Sequence, residues 1–491
     1  MATKGDRAVS QSSVEIQGQW SNMRLPAELL TVLQRHWGYD RLRSPQAEVI
    51  HSLLEGRDAL VILPTGFGKS LCFQLPAILQ TGTTLVISPL VALMEDQVGQ
   101  LRQRRLSAAA LHSQLPPQER RQVLRQLDAG QLRLLYLSPE TLLSPPMWSR
   151  LQQGQIAIAG AIIDEAHTVA AWGTSFRPDF MRLGAVRRGL SRSFPLAAFT
   201  ATADRDTQQL LRRVLHLRDP LVVRASPERT NIRLQVRYAW TPAGRLQQLA
   251  KFIQQQQGTA GLVYARTRAT CGELVQKLAK RGLFAAAYHG GLGTEERRRL
   301  EREWLNGDRP FLVCTNAFGM GIDRPAVRWI AHFQPPPTIA DYVQEVGRAG
   351  RDGKPATALM LASEPTGLLD GGDRQLQQYF RQQGTTLERQ AERLRTRLPE
   401  RGQYEAAISK HGPAAKLALA QLHRSGHLEW DDPFSFRLQS PPARQSHPTR
   451  VALSGAVEQL ATTRHCRWQV VSKALGYCGD RPCGTCDNCT R

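Results

Sequence analysis

The stretch ALVILPTGFGKSLCFQLPAIL (residues 59–79) decides the fold. Its opening run, ALVILP, has the length and apolar continuity of a buried strand, and KSLCFQLPAIL (69–79) reads as a helix. Between them, Pro64-Thr65-Gly66-Phe67-Gly68-Lys69-Ser70 leaves the strand and opens the helix. A glycine-rich turn in that position aims successive backbone N–H groups at one point, which suits the oxygens of a polyphosphate. Read as a P-loop, Thr65, Gly66 and Gly68 form the cradle, Lys69 reaches the β- and γ-phosphates, and Ser70 ligates Mg²⁺. Leu63 and Phe67 stand where glycine is usual, so on these residues alone a plain turn before an ordinary helix stays open.

Outward from this stretch the pattern repeats. TLVISP (84–89), LRLLYLSPE (132–140), AGAIIDEAH (159–167) and PLAAFTATA (195–203) are further apolar runs ending in polar residues, with helical sequence between them. Strands alternating with helices imply a parallel sheet that binds ligands beyond its carboxyl edge. A second series, AGLVYARTR (260–268), FAAAYHGG (284–291), RPFLVCTN (309–316), VRWIAHF (327–333) and ATALMLAS (356–363), predicts a second such sheet. Strand and helix signals lapse over Val222–Arg233, which sets a boundary there. Beyond about Ser363 the rhythm stops. Residues 366–400 read as helical and rich in Gln and Arg, QSPPARQSHPTR (439–450) is a linker, and a helix over 451–475 leads into a cysteine cluster. The expected divisions are an N-terminal extension (1–35), a nucleotide-binding lobe (36–222), a second lobe (223–365), an insert (366–450) and a terminal module (451–491).

Asp164-Glu165-Ala166-His167 ends the run IAGAIIDEAH, about a hundred residues past the P-loop. A carboxylate there can hold Mg²⁺ opposite the P-loop, and the adjacent Glu165 can orient and deprotonate an attacking water. A lone acidic pair is usually a solvated turn; paired with a P-loop it points to an ATPase. In Gln344-Glu345-Val346-Gly347-Arg348-Ala349-Gly350-Arg351 the spacing predicts a helix from Ile339 carrying Arg348 and Arg351 on one face. Two such arginines can stabilise developing phosphoryl charge; a solvated basic helix end is the bland alternative.

Charge favours a polyanionic partner. The 491 residues carry 64 basic and 42 acidic side chains, a net +22, and nine of the basic ones are lysine, so arginine dominates. Such a field favours salt-sensitive association with nucleic acid, although an arginine excess also follows from a GC-rich genome. The longest apolar stretch, Ile156–Ile163, is far short of the ~18 residues of a membrane span. The start, MATKGDRAVSQSS, has no apolar segment that would mark secretion. Five of the eight cysteines fall at the end: Cys466, Cys478, Cys483, Cys486 and Cys489. Cys466 with the CxxCxxC run suits four thiolates around a tetrahedral Zn²⁺ in a closed structural site. Cys478 in place of Cys466, or a four-iron cluster on the same cysteines, stays open.

These motifs together resemble the RecQ family of superfamily 2 DNA helicases, over about Trp37–Ala362 and again over about 451–489. WGYDRLRSPQ (37–46) resembles the family's motif ahead of the P-loop, SPLVALMEDQV (88–98) its motif Ia, AFTATAD (198–204) its motif III and CTNAFGMGIDRP (314–325) its motif V. DEAHTVAAWGTSFRPDF (164–180) resembles motif II continued into the aromatic-rich loop peculiar to the family. SPERTNI (226–232) departs from the family pattern, which has an aromatic after the serine and a proline before the asparagine.

The resemblance implies an α/β architecture of two RecA-like parallel-sheet lobes and a RecQ-type zinc-binding module. It implies that Gln46 recognises adenine through its amide with Arg43 in support, and that Asp323 belongs to the nucleotide site. Trp172, Phe176 and Arg177 would sense single-stranded DNA beside that site, since aromatic rings stack on any base; core packing is the alternative for the two rings. The implied activity is ATP-dependent 3′→5′ unwinding, in which ATP closes the lobes and hydrolysis reopens them along one strand. Implied partners are single-stranded and 3′-tailed duplex DNA and a single-strand-binding protein, for a cytoplasmic, nucleoid-associated monomer serving recombination and repair. An RNA helicase is disfavoured by the aromatic-rich loop and the zinc module. An ATP-switched DNA-binding or strand-annealing protein with little unwinding is the rival from another class.

The sequence stops at Arg491, so the expectation is a short form without the family's C-terminal winged-helix and HRDC domains. Within the insert, YEAAISKHGPAAKLALAQLHRSGHLEWDDPFSFRLQ (404–439) reads as two helices and a hairpin turning at Asp431-Asp432-Pro433. That is the order of a small winged helix, with LAQLHRSG as its groove-facing helix. Residues 364–464 hold 14 basic and 11 acidic side chains, sparse for gripping duplex, so a helical spacer on the motor's flank is the plainer reading.

Overall fold

A computed structural model describes residues 14–17, 26–256, 258–318, 324, 326–364, 366, 368–439, 450–479 and 481–490. The chain forms two compact units. The first holds the described residues up to Ser226 together with 387–439; the second holds Pro227–Thr386 together with those from Arg450 onward.

The first unit is built on eight strands: β1 (Val14–Gln17), β2 (Ala59–Ile62), β3 (Thr83–Ile87), β4 (Ala108–Leu111), β5 (Leu134–Leu137), β6 (Ile158–Ile163), β7 (Leu196–Thr200) and β8 (Leu221–Ala225). Their order is β1-β8-β2-β7-β6-β3-β5-β4, parallel throughout except for β1, which runs antiparallel to β8. β2, β3, β4, β5, β7 and β8 are buried along their whole length, as expected of a sheet covered on both faces by helices. β1 lies in the stretch read as an N-terminal extension, where it adds an outer strand to this sheet.

The second unit has six parallel strands: β9 (Ile232–Ala239), β10 (Gly261–Tyr264), β11 (Ala286–Tyr288), β12 (Phe311–Cys314), β13 (Trp329–His332) and β14 (Ala356–Ser363), in the order β11-β12-β10-β13-β14-β9. Three of its helices are capped by threonines: Thr241, Thr267 and Thr338 accept from the backbone N–H of Gly244, Thr270 and Asp341. The Val222–Arg233 segment, where strand signals lapse, in fact contains most of β8 and the start of β9. β8 (LVVRA) lacks polar alternation, and the polar Ser226–Thr230 stretch separates it from the alternating β9, so the signal breaks between them.

The insert does not stand alone. β15 (Arg401–Gln403), helices Tyr404–His411 and Ala415–Arg424, then β16 (Leu428–Asp432) and β17 (Ser435–Leu438), form a winged-helix-like module with a three-stranded sheet ordered β15-β17-β16. It packs on the first unit. The helix read as groove-facing, Ala415–Arg424, is covered instead: Ala415, Ala418, Leu419 and Leu422 join one apolar cluster with Ala185 of the 3₁₀ helix Pro178–Ala185. The hairpin tip is covered as well. Phe434 lies edge-on to Trp148 at 5.4 Å, and Arg182 donates to the Pro433 carbonyl at 2.9 Å while its guanidinium sits 3.8 Å over the Tyr404 ring. The linker read over 439–450 falls almost wholly outside the described residues.

Candidate functional site

At the carboxyl end of β2, Gly66 and Gly68 adopt φ of 85° and 78°, a left-handed conformation that a side chain would resist. Gly68 is the N-cap of the helix Lys69–Leu79, so the loop delivers its backbone N–H groups to the start of that helix. Lys69 Nζ donates to the carbonyls of Leu63 (2.9 Å) and Pro64 (3.5 Å), folded over the loop; Thr65 and Ser70 are half-buried beside it. The two residues that depart from the glycine pattern are core: Leu63 is fully buried, and Phe67 packs on the cluster beneath the helix.

Gln46 joins the loop directly. Its Nε2 donates to the Phe67 carbonyl at 3.1 Å, its Oε1 accepts from the Arg43 N–H at 3.0 Å, and a Cβ added at Gly68 would lie 2.6 Å from Nε2. The amide expected to read adenine is therefore buried and already holds the P-loop. One N–H and one lone pair are left for a base by the donor count of an amide. Arg43 is exposed.

β6 leads into Asp164 and Glu165. Glu165 has φ of 49°, left-handed for a residue with a side chain, and its N–H donates to Asp164 Oδ1 at 3.0 Å. Burial pushes Asp164 up to about 7, with the Glu165 charge adding to the effect and the Lys69 charge opposing it. A buried carboxyl of this kind is stabilised as the anion by a dication. His167 links the two strands: its Nδ1 lies 3.3 Å from Glu165 Oε2 and 3.2 Å from Thr200 Oγ1 at the end of β7. His167 and Thr200 stand in the quoted motifs, but their pairing depends on β6 and β7 being neighbours.

The aromatic-rich loop follows the helix His167–Trp172. Trp172 is half-buried against the first unit's core, Phe176 is 63% exposed, and their rings are 4.9 Å apart. Core packing thus accounts for part of Trp172 and none of Phe176. Arg177 is engaged within the protein. It clasps Glu140 through Nε (2.8 Å) and Nη2 (2.6 Å) and donates to the Pro89 carbonyl. Burial alone would raise the Glu140 carboxyl, but these bonds and the Arg177 charge hold it below the usual range. Arg177 so ties the loop to the SPLVALMEDQV segment. Glu140, at the polar end of LRLLYLSPE, went unread because a strand-end carboxylate has no partner visible in sequence.

In the second unit the arginine pair is not on a helix. The helix Ile339–Val346 ends at Gly347, and Arg348 and Arg351 lie in the turns after it. Gly350 bends the chain with φ of 59°. Asn231 Nδ2 donates to the carbonyls of Gly350 (2.8 Å) and Lys354 (2.9 Å), and Arg229 Nη2 donates to the same Gly350 oxygen at 2.6 Å. The SPERTNI segment that departs from pattern therefore grips the arginine loop. Arg266 holds Glu345 bidentately at 3.0 and 2.9 Å, and His332 Nε2 reaches the same carboxylate at 2.8 Å; the three side chains are buried. Against the cost of burial, the Arg266 charge and the His332 bond bring Glu345 down to about 2. Asp323 lies outside the described residues.

The same unit carries the cysteine cluster. The sulfurs of Cys466, Cys483, Cys486 and Cys489 all lie within 4.8 Å of one another, whereas Cys478 is exposed and apart from them. Pairs such as Cys486–Cys489 (3.4 Å) and Cys483–Cys489 (4.0 Å) bracket the ~3.8 Å edge of a tetrahedron with Zn–S bonds of ~2.3 Å. Backbone N–H groups of Cys483 and Cys486 point at Cys466 and Cys483 sulfurs, as thiolate ligands require. One helix does not lead into the cluster; two do, Arg450–Thr462 and Arg467–Ala474, and Cys466 sits at the break as N-cap of the second. Asp487 anchors the module to the edge strand β9, donating to Leu234 O and accepting from Val236 N at 3.0 Å each.

Residues 43–210 match the DEAD/DEAH box helicase family and 244–353 the helicase conserved C-terminal domain. The ATP-dependent DNA helicase RecQ of Synechocystis sp. is 52% identical over 465 residues, 93% of this chain and 97% of that protein. This chain belongs to the RecQ family. It is an ATP-dependent DNA helicase of two RecA-like lobes, with ATP and Mg²⁺ as its implied cofactors. RecQ of Haemophilus influenzae is 41% identical over 68% of this chain but only 53% of its own length. Among solved structures, Mycobacterium smegmatis helicase Lhr bound to ssDNA and AMP-PNP superposes over 89% of this chain and 61% of its own, with TM-score 0.53 at 19% identity. Saccharomyces cerevisiae Dbp5 bound to RNA and ADP BeF3 covers 72% of this chain and 92% of its own, with TM-score 0.58 at 17% identity. At those identities the likeness is one of fold. Among the described residues no helix is long and apolar enough to cross a membrane.

Proposed function

We propose that this RecQ protein translocates 3′→5′ on single-stranded DNA and unwinds 3′-tailed duplex, acting as a cytoplasmic, nucleoid-associated monomer in recombination and repair, with a single-strand-binding protein as partner. The observation that carries the reading is the linkage around Glu165. His167 joins it to Thr200, and the helix that His167 begins leads directly into the loop that presents an exposed aromatic, Phe176, beside Trp172. A DNA base stacked on that loop acts on the chain a few residues from the group that handles water.

The roles follow from chemistry. Thr65, Gly66, Gly68 and Lys69 bind the phosphates, while Gln46 and Arg43 bind the adenine. Ser70 and Asp164 would hold Mg²⁺, which supplies charge neutralisation at the phosphates. Glu165 orients and deprotonates water. Arg348 and Arg351 supply positive charge to the transferring phosphoryl group, and Asp323 belongs to the same nucleotide machinery. Cys466, Cys483, Cys486 and Cys489 would hold Zn²⁺ as a structural ion. In domain terms we read an ATP-binding lobe over 36–222 and a second lobe over 223–365; the two compact units divide a few residues later, between Ser226 and Pro227. The insert (366–450) and the zinc module (451–491) follow, after an N-terminal extension (1–35).

Strand displacement on matched 3′-tailed and 5′-tailed duplexes tests this. ATP-dependent unwinding of the 3′-tailed substrate alone is expected. ATP-dependent DNA binding or annealing without displacement would establish the rival reading instead.

A further inference from the structure

The winged-helix-like module faces inward, and one of its residues reaches the aromatic-rich loop. Arg424, at the end of the helix Ala415–Arg424, donates from Nη1 to the Ala170 carbonyl at 3.0 Å and to Thr174 Oγ1 at 3.2 Å. The helix His167–Trp172 ends there, and a helix leaves its last four carbonyls without intrahelical donors. Val169 O is met by the Gly173 N–H, Ala171 O by Ser175 Oγ, and Trp172 O by the N–H groups of Ser175, Phe176 and Arg177. Ala170 O takes a charged donor from a segment 254 residues away. The carbonyl of Arg424 itself accepts from Arg213 Nη2, on the helix Arg205–Val214 that follows the ATAD segment. Arg424 thus spans the helix that presents Trp172 and the helix that leaves β7.

The seat of the module is built to hold this contact in place. Arg188 pairs with Glu429 at 3.0 Å and donates to the Trp430 carbonyl at 2.6 Å. A Cβ at Gly189 would come within 2.8 Å of both Pro433 and Trp148, so the hairpin tip is in close contact with the lobe. The helix and the hairpin, the two elements a winged helix offers to DNA, are both occupied here by protein.

We infer that the module is a brace for the aromatic-rich loop and that Arg424 is its positioning residue, fixing the loop so that DNA engaged at Trp172 and Phe176 reaches the ATP-hydrolysing groups. The inference rests on the assignment of that loop to DNA sensing. Its mechanism is thermodynamic: DNA binding to a loop already ordered does not bear the ordering cost. Ala170, Thr174 and Arg213, the partners named above, are not assigned to nucleotide, so loss of these bonds falls on DNA stimulation.

The test uses the full chain, with ATPase measured without DNA and with oligo-dT. Arg424→Ala should keep the DNA-free rate and the melting temperature while lowering DNA stimulation roughly 3- to 10-fold, the equivalent of one or two hydrogen bonds. Thr174→Val should act in the same direction by a smaller factor, and the double variant should match Arg424→Ala alone, because both remove one interaction. Full stimulation in Arg424→Ala, with stimulation lost in Trp172→Ala, overturns the brace and leaves the loop assignment standing. Full stimulation in Trp172→Ala overturns the loop assignment, and the brace with it. Equal loss of both rates in Arg424→Ala marks a merely structural contact and overturns the inference. Should that variant fail to fold, Thr174→Val decides alone: unchanged stimulation overturns it.

Discussion

The two lobes hold their functional side chains by different physics. In the first, geometry resides in the backbone: Gly66, Gly68 and Glu165 take positive φ at the carboxyl ends of β2 and β6, and Glu165 as a non-glycine carries a cost of about 1–3 kcal/mol. In the second, geometry resides in buried charge. Arg348 and Arg351 follow a helix whose Glu345 is locked between Arg266 and His332, and their loop is gripped by Asn231 and Arg229. A strained loop is free to change shape around a ligand, whereas a buried ion network is not. First-lobe substitutions should therefore cost turnover, and second-lobe substitutions should cost stability as well.

The largest effect expected is from the metal. Structural zinc sites contribute about 10 kcal/mol or more to folding. The four cysteines sit on the second lobe and Asp487 ties them to β9, so chelation or Cys483→Ser should unfold the terminal module and loosen that lobe. The first lobe should keep its own melting transition. Calorimetry before and after chelation, with metal content by atomic emission, checks this; about one zinc per chain is expected from four ligands. Loss of both transitions together would refute the independence of the lobes' stabilities.

Next comes chemistry. Arg351→Ala should lower kcat by about 10³-fold, in the range of lost arginine fingers, with a far smaller change in ATP affinity. If affinity falls instead, the finger role passes to Arg348. Glu165→Gln should cost about 10²–10⁴ in turnover while ATP still binds, and Lys69→Ala should lose binding as well. Neither first-lobe variant should move the melting temperature much, and single-turnover hydrolysis beside nucleotide binding separates these routes.

Glu345→Gln attacks the second lobe's framework. Removing one partner of a buried ion pair costs about 3–5 kcal/mol, because the Arg266 charge is left behind. The pH dependence has a definite sign. The folded carboxyl is depressed to about 2 from an ordinary 4.5, so its stabilisation is complete above about 4.5 and is lost as pH falls toward 2. Urea unfolding of wild type and variant should therefore converge at acid pH and separate by neutral pH. A constant gap across that window would show that Glu345 does not titrate as a buried partner.

The same contrast explains what sequence could reveal. Lys69, Ser70, Asp164 and Glu165 stand out in sequence because the chemistry proposed for them depends on local spacing after a strand, and the cysteines that cluster in the structure stand out because CxxCxxC is a ligand pattern in itself. Arg266–Glu345, Arg177–Glu140 and Arg424–Ala170 join residues 79, 37 and 254 positions apart, and no periodicity encodes such pairs. The helix predicted under Arg348 and Arg351 stops early because Gly347 ends it and Gly350 turns the chain, a glycine signal present in the sequence. The order of a winged helix was readable over 404–439, but an amphipathic helix shows only that one face is buried, not what buries it.

The smallest effect, and the one that most sharpens the comparison, belongs to Trp172. It is the aromatic of the loop that is half core and half surface: its ring packs on the first lobe's cluster and meets the exposed Phe176 at 4.9 Å. If its function is stacking, Trp172→Ala removes about 1–3 kcal/mol of base contact. Stimulation by single-stranded DNA should then fall by roughly one order of magnitude or more, well beyond any loss in the DNA-free rate. If its function is packing, the cavity lowers both rates and the melting temperature together. Trp172→Phe separates the two, since it keeps an aromatic face for a base while leaving part of the indole's volume empty. Stimulation restored by Phe with the melting temperature still depressed would place the DNA contact on the ring's exposed face. Stimulation that instead tracks the melting temperature across Trp, Phe and Ala would reduce Trp172 to a core residue and leave Phe176 as the loop's base-stacking side chain.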